Sequence, residues 1–182
     1  MAYQIETTKL PEVLILKPNI HLDSRGFFFE SFNKEDFYKS TGLDVYFAQD
    51  NHSKSKKGTL RGLHYQISNP QGKLIRVISG EIFDVAVDLR RSSENFGKWI
   101  SIKLSAENKK QLWIPKGFAH GFLTMTNEAE VIYKTTDYWS LEFERCITWN
   151  DNDIGINWPI KNPILSEKDL NGVKLIEAEV FE

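Results

Sequence analysis

Residues 83–90 read Phe-Asp-Val-Ala-Val-Asp-Leu-Arg, a stretch in which apolar side chains recur at every second position. Val85, Val87 and Leu89 point to one face of an extended chain, and the residues between them point to the other. The same period of two recurs in residues 99–104 and 131–138. We therefore predict strands of an antiparallel sheet, and many strands with few helices in one chain favour a β-sandwich or β-barrel.

Two short segments carry helix signals. Asn33 is a suitable N-cap for a helix that ends at Gly42, with Phe32 and Phe37 spaced as a hydrophobic staple. A second short turn is predicted to begin at Ser166. Ser79-Gly80 separates two strand-like runs and predicts a tight hairpin turn.

Length and charge exclude several classes of protein. A chain of 182 residues without repeats or linkers predicts a single domain over residues 1–182. Its 23 Lys and Arg residues are balanced by 25 Asp and Glu residues, so we expect neither nucleic acid nor a membrane as partner. The single cysteine, Cys146, cannot form an intramolecular disulfide, and no apolar run approaches a membrane span. We expect a cytoplasmic protein.

Two histidine-containing motifs stand on strand-like segments. His64 and Gln66 share one face of residues 58–66, with Gly62 leaving space beside them. In residues 114–122, the pattern Pro-x-Gly-x-x-His ending at His120 resembles the second motif of cupin barrels. One alternative is therefore a metal-dependent cupin oxygenase, but such a protein would carry His-x-His where this chain has Gln66 in the second place. We predict no metal site.

Several longer motifs together carry a more specific resemblance. In chain order they are Asp23-Ser24-Arg25-Gly26-Phe27-Phe28-Phe29-Glu30, Gln49-Asp50-Asn51, Leu60-Arg61-Gly62-Leu63-His64, Gln71-Gly72-Lys73-Leu74, residues 83–90, residues 111–122 and Tyr133-Lys134. This order resembles the dTDP-4-dehydrorhamnose 3,5-epimerase family of bacterial dTDP-L-rhamnose synthesis. The resemblance implies a cupin-type double-stranded β-helix, or jelly roll, that forms a homodimer and uses neither cofactor nor metal. It also implies a dTDP-ketosugar as substrate.

The resemblance also implies catalytic roles that suit the chemistry. The ketone of dTDP-4-dehydro-6-deoxy-D-glucose acidifies the hydrogens on both neighbouring carbons, so a base and an acid on opposite faces suffice for epimerisation. By similarity, His64 is the base, Asp169 its carboxylate partner, Tyr133 the acid, and Lys73 the cation that stabilises the enolate oxygen. The residues alone favour other roles, namely a helix cap for Asp169, a core tyrosine for Tyr133 and a surface lysine for Lys73.

Binding roles follow from the same resemblance. Arg25, Arg61 and Lys168 match positions that contact the nucleotide or its phosphates, for which local cations are required. Tyr138 and Trp139 fall where the family stacks an aromatic on the thymine, although the family commonly has two tyrosines there. The other matching ligand-binding positions are Glu30, Gln49, Asn51, His120 and Glu144. Taken singly, each of these residues also fits a surface or packing role.

Two further alternatives remain open within the same fold. A non-catalytic sugar-nucleotide-binding module is expected to have lost its acid or base, whereas this chain keeps His64, Tyr133 and Asp169. A single-carbon epimerase acting on a related dTDP-ketosugar would keep all three residues, and the motifs do not separate it from the double epimerase.

Overall fold

Two antiparallel sheets face each other in the computed structural model, which describes residues 3–182. Within those residues the strands, in chain order, are β1 (Gln4–Thr7), β2 (Leu14–Lys17), β3 (His21–Asp23), β4 (Gly26–Phe28), β5 (Gln49–Lys56), β6 (Leu60–Gln66), β7 (Lys73–Ser79), β8 (Glu81–Asp88), β9 (Trp99–Ser105), β10 (Gln111–Ile114), β11 (Phe118–Thr124), β12 (Glu128–Thr135) and β13 (Glu144–Cys146). The first sheet has the order β1-β2-β10-β7-β12-β5 and the second the order β13-β6-β11-β8-β9, while β3 and β4 form a separate hairpin. The all-β prediction is confirmed.

The helical segments are short, as the sequence predicts. They are α1 (Lys34–Thr41), α2 (Glu167–Leu170) and a single 3₁₀ turn (Leu175–Glu177). Asn33 Oδ1 accepts hydrogen bonds from the backbone N–H groups of Glu35 and Asp36, and Gly42 ends α1 with a φ of 74°. Ser166 caps α2 as predicted. No helix within residues 3–182 is long and apolar enough to cross a membrane.

The hairpin predicted at Ser79-Gly80 is wrong. A tight turn does lie there, because Gly80 has a φ of 73° and a Cβ at that position would collide with the carbonyl oxygen of Glu128. However, β7 belongs to the first sheet and β8 to the second, so the turn carries the chain from one sheet to the other. A glycine turn between two strand-like runs indicates a change of direction, but it does not indicate which sheet receives the second strand.

Three apolar clusters form the core, one between the sheets and one on the outer face of each sheet. The period of two assigns strand residues to these clusters. Alternate residues of β10 illustrate the assignment: Leu112 and Ile114 lie between the sheets, whereas Trp113 packs outward against Phe37 of α1. The predicted face of Val85 and Val87 in β8, continued by Leu89 just after the strand, packs beneath the C-terminal segment, around Ile147, Leu175 and Val180. The opposite face of β8 lies between the sheets, so both faces of this strand are buried.

Candidate active site

A cavity of about 400 Å³ opens between the two sheets, and most of the residues that line it are polar or charged. Strands β5, β7 and β12 supply one wall from the first sheet, and β6, β11 and β13 supply the other wall from the second. The lining residues are Gln49, Asn51, Ser53, Arg61, His64, Gln71, Lys73, His120, Phe122, Tyr133, Trp139, Glu144 and Lys168. The fold thus gathers in one cavity residues that are more than 100 positions apart in the sequence.

Strand β5 faces the cavity with every second residue. Gln49, Asn51 and Ser53 line it, while the intervening Asp50 and His52 are exposed to solvent. Asn51 pairs with Tyr133 of β12, which places the tyrosine on the wall formed by the first sheet. The polar residues of β5 thus reflect its position. The strand lies at the edge of the first sheet, and it faces a cavity instead of the apolar core.

A β-bulge in β6 brings Arg61 and His64 into the same cavity. In the pairing with β11, His64 lies opposite His120 but Arg61 lies opposite Phe122, so β6 has one extra residue in this interval. Gly62 occupies the bulge with a φ of 130°, and a Cβ there would lie 2.5 Å from the Cα of Gly121. Simple alternation would have placed Arg61 and His64 on opposite faces.

His64 and Asp169 form the hydrogen-bonded pair that the resemblance implies. His64 Nε2 lies 2.6 Å from Asp169 Oδ1, with the imidazole at the cavity wall and the carboxylate 3% exposed behind it. Burial lowers the pKa of His64 below its ordinary value of 6.5, an effect that the hydrogen bond to Asp169 opposes. The imidazole is therefore neutral at pH 7 and is able to accept a proton.

The Asp169 carboxylate is held at both oxygens. Oδ1 also accepts the backbone N–H of Gly62 at 3.2 Å, and Oδ2 accepts the hydroxyl of Ser166 at 2.6 Å. Burial alone would raise the pKa of Asp169, but the hydrogen bonds from His64, Ser166 and Gly62 outweigh it and hold the pKa at about 2. Asp169 is consequently an anion throughout the neutral range, and it fixes both the tautomer and the orientation of His64.

Lys73 and Tyr133 contribute a cation and a neutral phenol to the wall formed by the first sheet. Burial lowers the pKa of Lys73 to about 8, while the carboxylates of Glu144 and Asp84 act in the opposite direction. Burial also raises the pKa of Tyr133 above 10, so its hydroxyl keeps its proton at pH 7. Lys73 Nζ donates a hydrogen bond to the backbone oxygen of His64 at 3.4 Å.

A second histidine–aspartate pair lies deeper between the sheets. His120 Nε2 is 3.0 Å from each carboxylate oxygen of Asp84, and the Asp84 side chain is completely buried. Sequence reasoning identified His120 but not its partner. One sequence signal did indicate a partner for His120. Asp84 stands in a strand of otherwise mostly apolar residues, and a buried carboxylate requires a compensating group.

The sequence of this chain is similar to those of known proteins. The profile of the dTDP-4-dehydrorhamnose 3,5-epimerase family matches residues 7–177. A dTDP-4-dehydrorhamnose 3,5-epimerase from Shigella flexneri is 57% identical over 175 residues, covering 96% of this chain and 97% of that protein. This chain belongs to the dTDP-4-dehydrorhamnose 3,5-epimerase family. The resemblance drawn from the motifs is thereby confirmed.

Solved structures of family members agree with the fold. The crystal structure of an epimerase from Legionella pneumophila, in complex with dTDP-4-keto-L-rhamnose, has a TM-score of 0.94 and 46% identity, covering 97% of this chain and 95% of that chain. The epimerase from Bacillus anthracis, with TDP and PPi bound, has a TM-score of 0.92 and 43% identity, covering 95% and 99%. The predicted cupin-type jelly roll is therefore confirmed for this family member.

Two further cations, Lys168 and Arg61, line the epimerase cavity. Lys168 Nζ donates to Glu144 Oε1 at 2.9 Å, and Arg61 Nε donates to the Ser55 hydroxyl at 2.9 Å. Arg61, Lys73 and Lys168 thus give the cavity an excess of positive charge in a chain whose net charge is -2. Such a local cluster suits the diphosphate of a sugar nucleotide.

Three residues that sequence reasoning assigned to the ligand lie outside the cavity lining. Arg25 is in the β3–β4 hairpin, where its guanidinium pairs with Asp23 at 2.6 Å, and Glu30 follows that hairpin and accepts a hydrogen bond from Asn33. Tyr138 is exposed to solvent beside Trp139, which does line the cavity. Conversely, the lining includes three residues not singled out as ligand contacts, namely Ser53, Gln71 and Phe122.

Within residues 3–182, one group of three potential metal-ligating side chains lies close together. It consists of His64, Cys146 and Asp169, whose donor atoms lie within 4.8 Å of one another. Two of these donors already bond to each other at 2.6 Å. Gln66, which stands where a metal-dependent cupin would have its second histidine, directs its amide to backbone groups of residues 69, 138 and 140. The donor set of this family member is thus unlike the His-x-His arrangement of metal-dependent cupins.

Proposed function

We propose that this chain converts dTDP-4-dehydro-6-deoxy-D-glucose to dTDP-4-dehydro-L-rhamnose by inverting the two carbons beside the ketone. The observation that carries the proposal is the placement of a base and an acid on facing walls. His64, supported by Asp169, lies on the second sheet, and Tyr133 lies on the first. A sugar ring between them offers one face to the imidazole and the other to the phenol.

The proposed reaction begins with proton removal by His64. Because Nε2 is engaged by Asp169, Nδ1 is the nitrogen that takes the proton from the carbon beside the ketone. The electron pair of the broken C–H bond moves to the ketone oxygen, where the ammonium of Lys73 stabilises the developing enolate. Asp169 meanwhile stabilises the imidazolium that forms.

Reprotonation comes from the opposite wall. The enolate collapses as the same carbon takes a proton from the hydroxyl of Tyr133, and this inverts the configuration. The phenolate then regains a proton from solvent, and the imidazolium loses its proton, which restores both groups. The same cycle acts on the carbon at the other side of the ketone. No electron leaves the substrate, so the reaction requires neither an oxidant nor a redox cofactor.

Binding of the nucleotide uses the cations and aromatics around the cavity. In the proposal, Arg61 and Lys168 hold the diphosphate, and Trp139 with Tyr138 stacks on the thymine. Gln49, Asn51, His120 and Glu144 supply further polar contacts to the ligand. A metal is not part of the proposed mechanism, since the acidity of the substrate comes from its own ketone.

We also propose an oligomeric state, a domain organisation and a cellular location for this chain. We infer a homodimer in which the β3–β4 hairpin of one copy approaches the cavity of the other, because Arg25 and Glu30 match ligand-binding positions yet lie outside the cavity of their own chain. Leu22, Phe27 and Phe28 of this hairpin are exposed apolar side chains that such a contact would cover. A single domain over residues 1–182 and a cytoplasmic location, suggested by the unpaired Cys146, complete the proposal.

The decisive experiment is hydrogen exchange during turnover in heavy water. With the dTDP-ketosugar as substrate, we expect deuterium at both carbons that flank the ketone, read by proton NMR and mass spectrometry. Exchange at one carbon would restrict the chain to single-carbon epimerisation, and no exchange would overturn the proposal. Unchanged turnover in the presence of a chelator would separate the epimerase from a metal-dependent cupin.

A further inference from the structure

The loop after β12 is held by three glutamine side chains. Four consecutive residues of this loop each place one backbone group on a glutamine amide. Gln71 Nε2 donates to the oxygen of Asp137 at 2.8 Å, Gln66 Nε2 donates to the oxygen of Tyr138 at 3.2 Å, Trp139 N donates to Gln49 Oε1 at 3.0 Å, and Ser140 N donates to Gln66 Oε1 at 2.7 Å. We call Gln49, Gln66 and Gln71 the glutamine cradle.

Gln66 is the centre of the glutamine cradle. Its side chain is buried, with only 3% of its surface exposed, and its amide nitrogen makes a further hydrogen bond to the oxygen of Asn69 at 3.0 Å. Both hydrogens of Nε2 and an acceptor site of Oε1 are therefore used on backbone groups. Removing this amide would leave several buried or half-buried polar groups without a partner, which is more costly than losing one exposed hydrogen bond.

The loop that the glutamine cradle holds presents two aromatic side chains to solvent. Tyr138 is 66% exposed and Trp139 is 52% exposed, although Trp139 also lines the catalytic cavity. Little packing of these rings can fix the loop, so the hydrogen bonds to its backbone are what position them. An aromatic surface whose backbone is already ordered loses less conformational entropy when a flat ligand ring stacks on it.

We propose that Gln66, with Gln49 and Gln71, positions the Tyr138–Trp139 pair and thereby sets the affinity for the nucleobase end of the substrate. Gln66 is a positioning residue, since its amide bonds to backbone groups and is not part of the cavity lining. The inference rests on the proposed function in one respect only, namely that the aromatic pair contacts the base. It assigns a role to the residue that replaces the second histidine of the metal-dependent cupin pattern.

The test compares Gln66→Met with the control Gln4→Met. The control makes the same change at an exposed residue of β1, which lies at the opposite edge of the first sheet from β5. For Gln66→Met we expect KM for the dTDP-ketosugar and the dissociation constant of dTDP to rise by about tenfold. We expect kcat to stay within about twofold, and inhibition by inorganic pyrophosphate to be unchanged, because neither depends on the aromatic loop. Gln66→Asn keeps an amide but shortens its reach, so it gives a smaller change of the same sign and serves if Gln66→Met does not fold.

A double-mutant cycle with Trp139→Ala distinguishes positioning from a general structural role. If the glutamine acts through the aromatic pair, Gln66→Met adds much less than its single-variant effect once Trp139 is removed. A full additional loss of dTDP affinity, a fall in kcat with KM unchanged, or an equal loss of pyrophosphate inhibition would each overturn the inference. Failure of the wild-type protein to bind dTDP would instead refute the proposed function.

Discussion

His64 Nε2 lies 2.6 Å from Oδ1 of Asp169, although the two residues are 105 positions apart in the sequence. Strand β6 carries the histidine and the short helix α2 carries the aspartate, and the Gly62 N–H in the bulge of β6 binds the same carboxylate oxygen. The bulge therefore serves two purposes. It turns His64 into the cavity, and it presents a backbone donor that fixes the anion behind the histidine.

Replacing that anion tests the pair directly. In Asp169→Asn the neutral amide neither stabilises the imidazolium nor enforces the tautomer, so we expect kcat to fall on the order of 10³-fold with KM changed by less than about threefold. Steady-state kinetics and deuterium incorporation measure the effect. Glu167→Gln, on the same helix but exposed, is the matched control and keeps wild-type kinetics. A kcat within tenfold of wild type for Asp169→Asn would contradict the assignment.

Ser166 is expected to tune the same pair through its 2.6 Å hydrogen bond to Asp169 Oδ2. Without the hydroxyl, the Asp169 carboxylate loses a hydrogen-bond donor and stabilises the imidazolium more strongly. Ser166→Ala therefore raises the pKa of His64 and moves the acid limb of kcat/KM to higher pH. We also expect a fall in kcat of about tenfold. Ser166→Thr restores the hydroxyl and the profile. A lower melting temperature with an unmoved acid limb would reduce Ser166 to a helix cap.

The pH dependence of kcat/KM follows from two buried groups that act in opposite protonation states, His64 as the neutral imidazole and Lys73 as the ammonium. Burial lowers the pKa of His64 below 6.5, so activity falls on the acid side only below that value, where the imidazole takes up a proton. Burial lowers the pKa of Lys73 to about 8, so activity falls above pH 8 as the ammonium loses its charge. Lys73→Arg keeps the cation at high pH, and its profile loses the alkaline limb whatever its absolute rate. Persistence of that limb would assign it to another group.

Much of the fold was accessible from the sequence because the signals involved are local. The alternation in residues 83–90 assigned Val85 and Val87 to one face of β8, and Asn33 and Gly42 marked the ends of α1 correctly. The turn at Ser79-Gly80 shows the limit of such reasoning. Its backbone conformation depends on the glycine, whereas the sheet that receives the next strand depends on packing between distant strands, which no local pattern encodes.

The candidate site was partly predictable, because some of its residues belong to local sequence motifs. His64 and Tyr133 were identified through motifs, but placing Arg61 beside His64 requires an extra residue in β6, and strict alternation would separate the two. Asp84 was overlooked as a partner of His120, because 36 residues separate them in the chain and only the pairing of β8 with β11 joins them. Gln66 was noted for what it replaces, while its hydrogen bonds to the loop of residues 137–140 became visible only in the fold.

Tyr133→Phe separates proton removal from proton delivery. Since burial keeps the phenol of Tyr133 protonated, its loss removes the donor on one wall and leaves His64 intact. We expect product formation to fall by about 10²-fold or more, whereas exchange of the abstracted hydrogen with heavy water persists through His64. Tyr38→Phe, on the exposed side of α1, is the control. Inversion of both carbons at the wild-type rate would exclude Tyr133 as the acid.

Mixing two inactive variants tests whether the β3–β4 hairpin completes the site of a second copy. The Arg25 side chain is 88% exposed and lies outside the cavity of its own chain, so we expect Arg25→Glu to inactivate the site of the neighbouring subunit by repelling the diphosphate. His64→Asn inactivates the subunit that carries it. A mixed dimer then contains one site with both wild-type residues, and random reassortment restores about a quarter of wild-type activity.

Reassortment is checked by labelling one variant and following dimer exchange by mass, with each variant alone as its control. Sedimentation velocity measures whether the wild-type protein is a dimer under the assay conditions. If mixed dimers form and activity stays at the level of the separate variants, Arg25 acts within its own chain and the proposed contact is wrong. A monomeric, fully active wild-type protein would exclude the contact altogether.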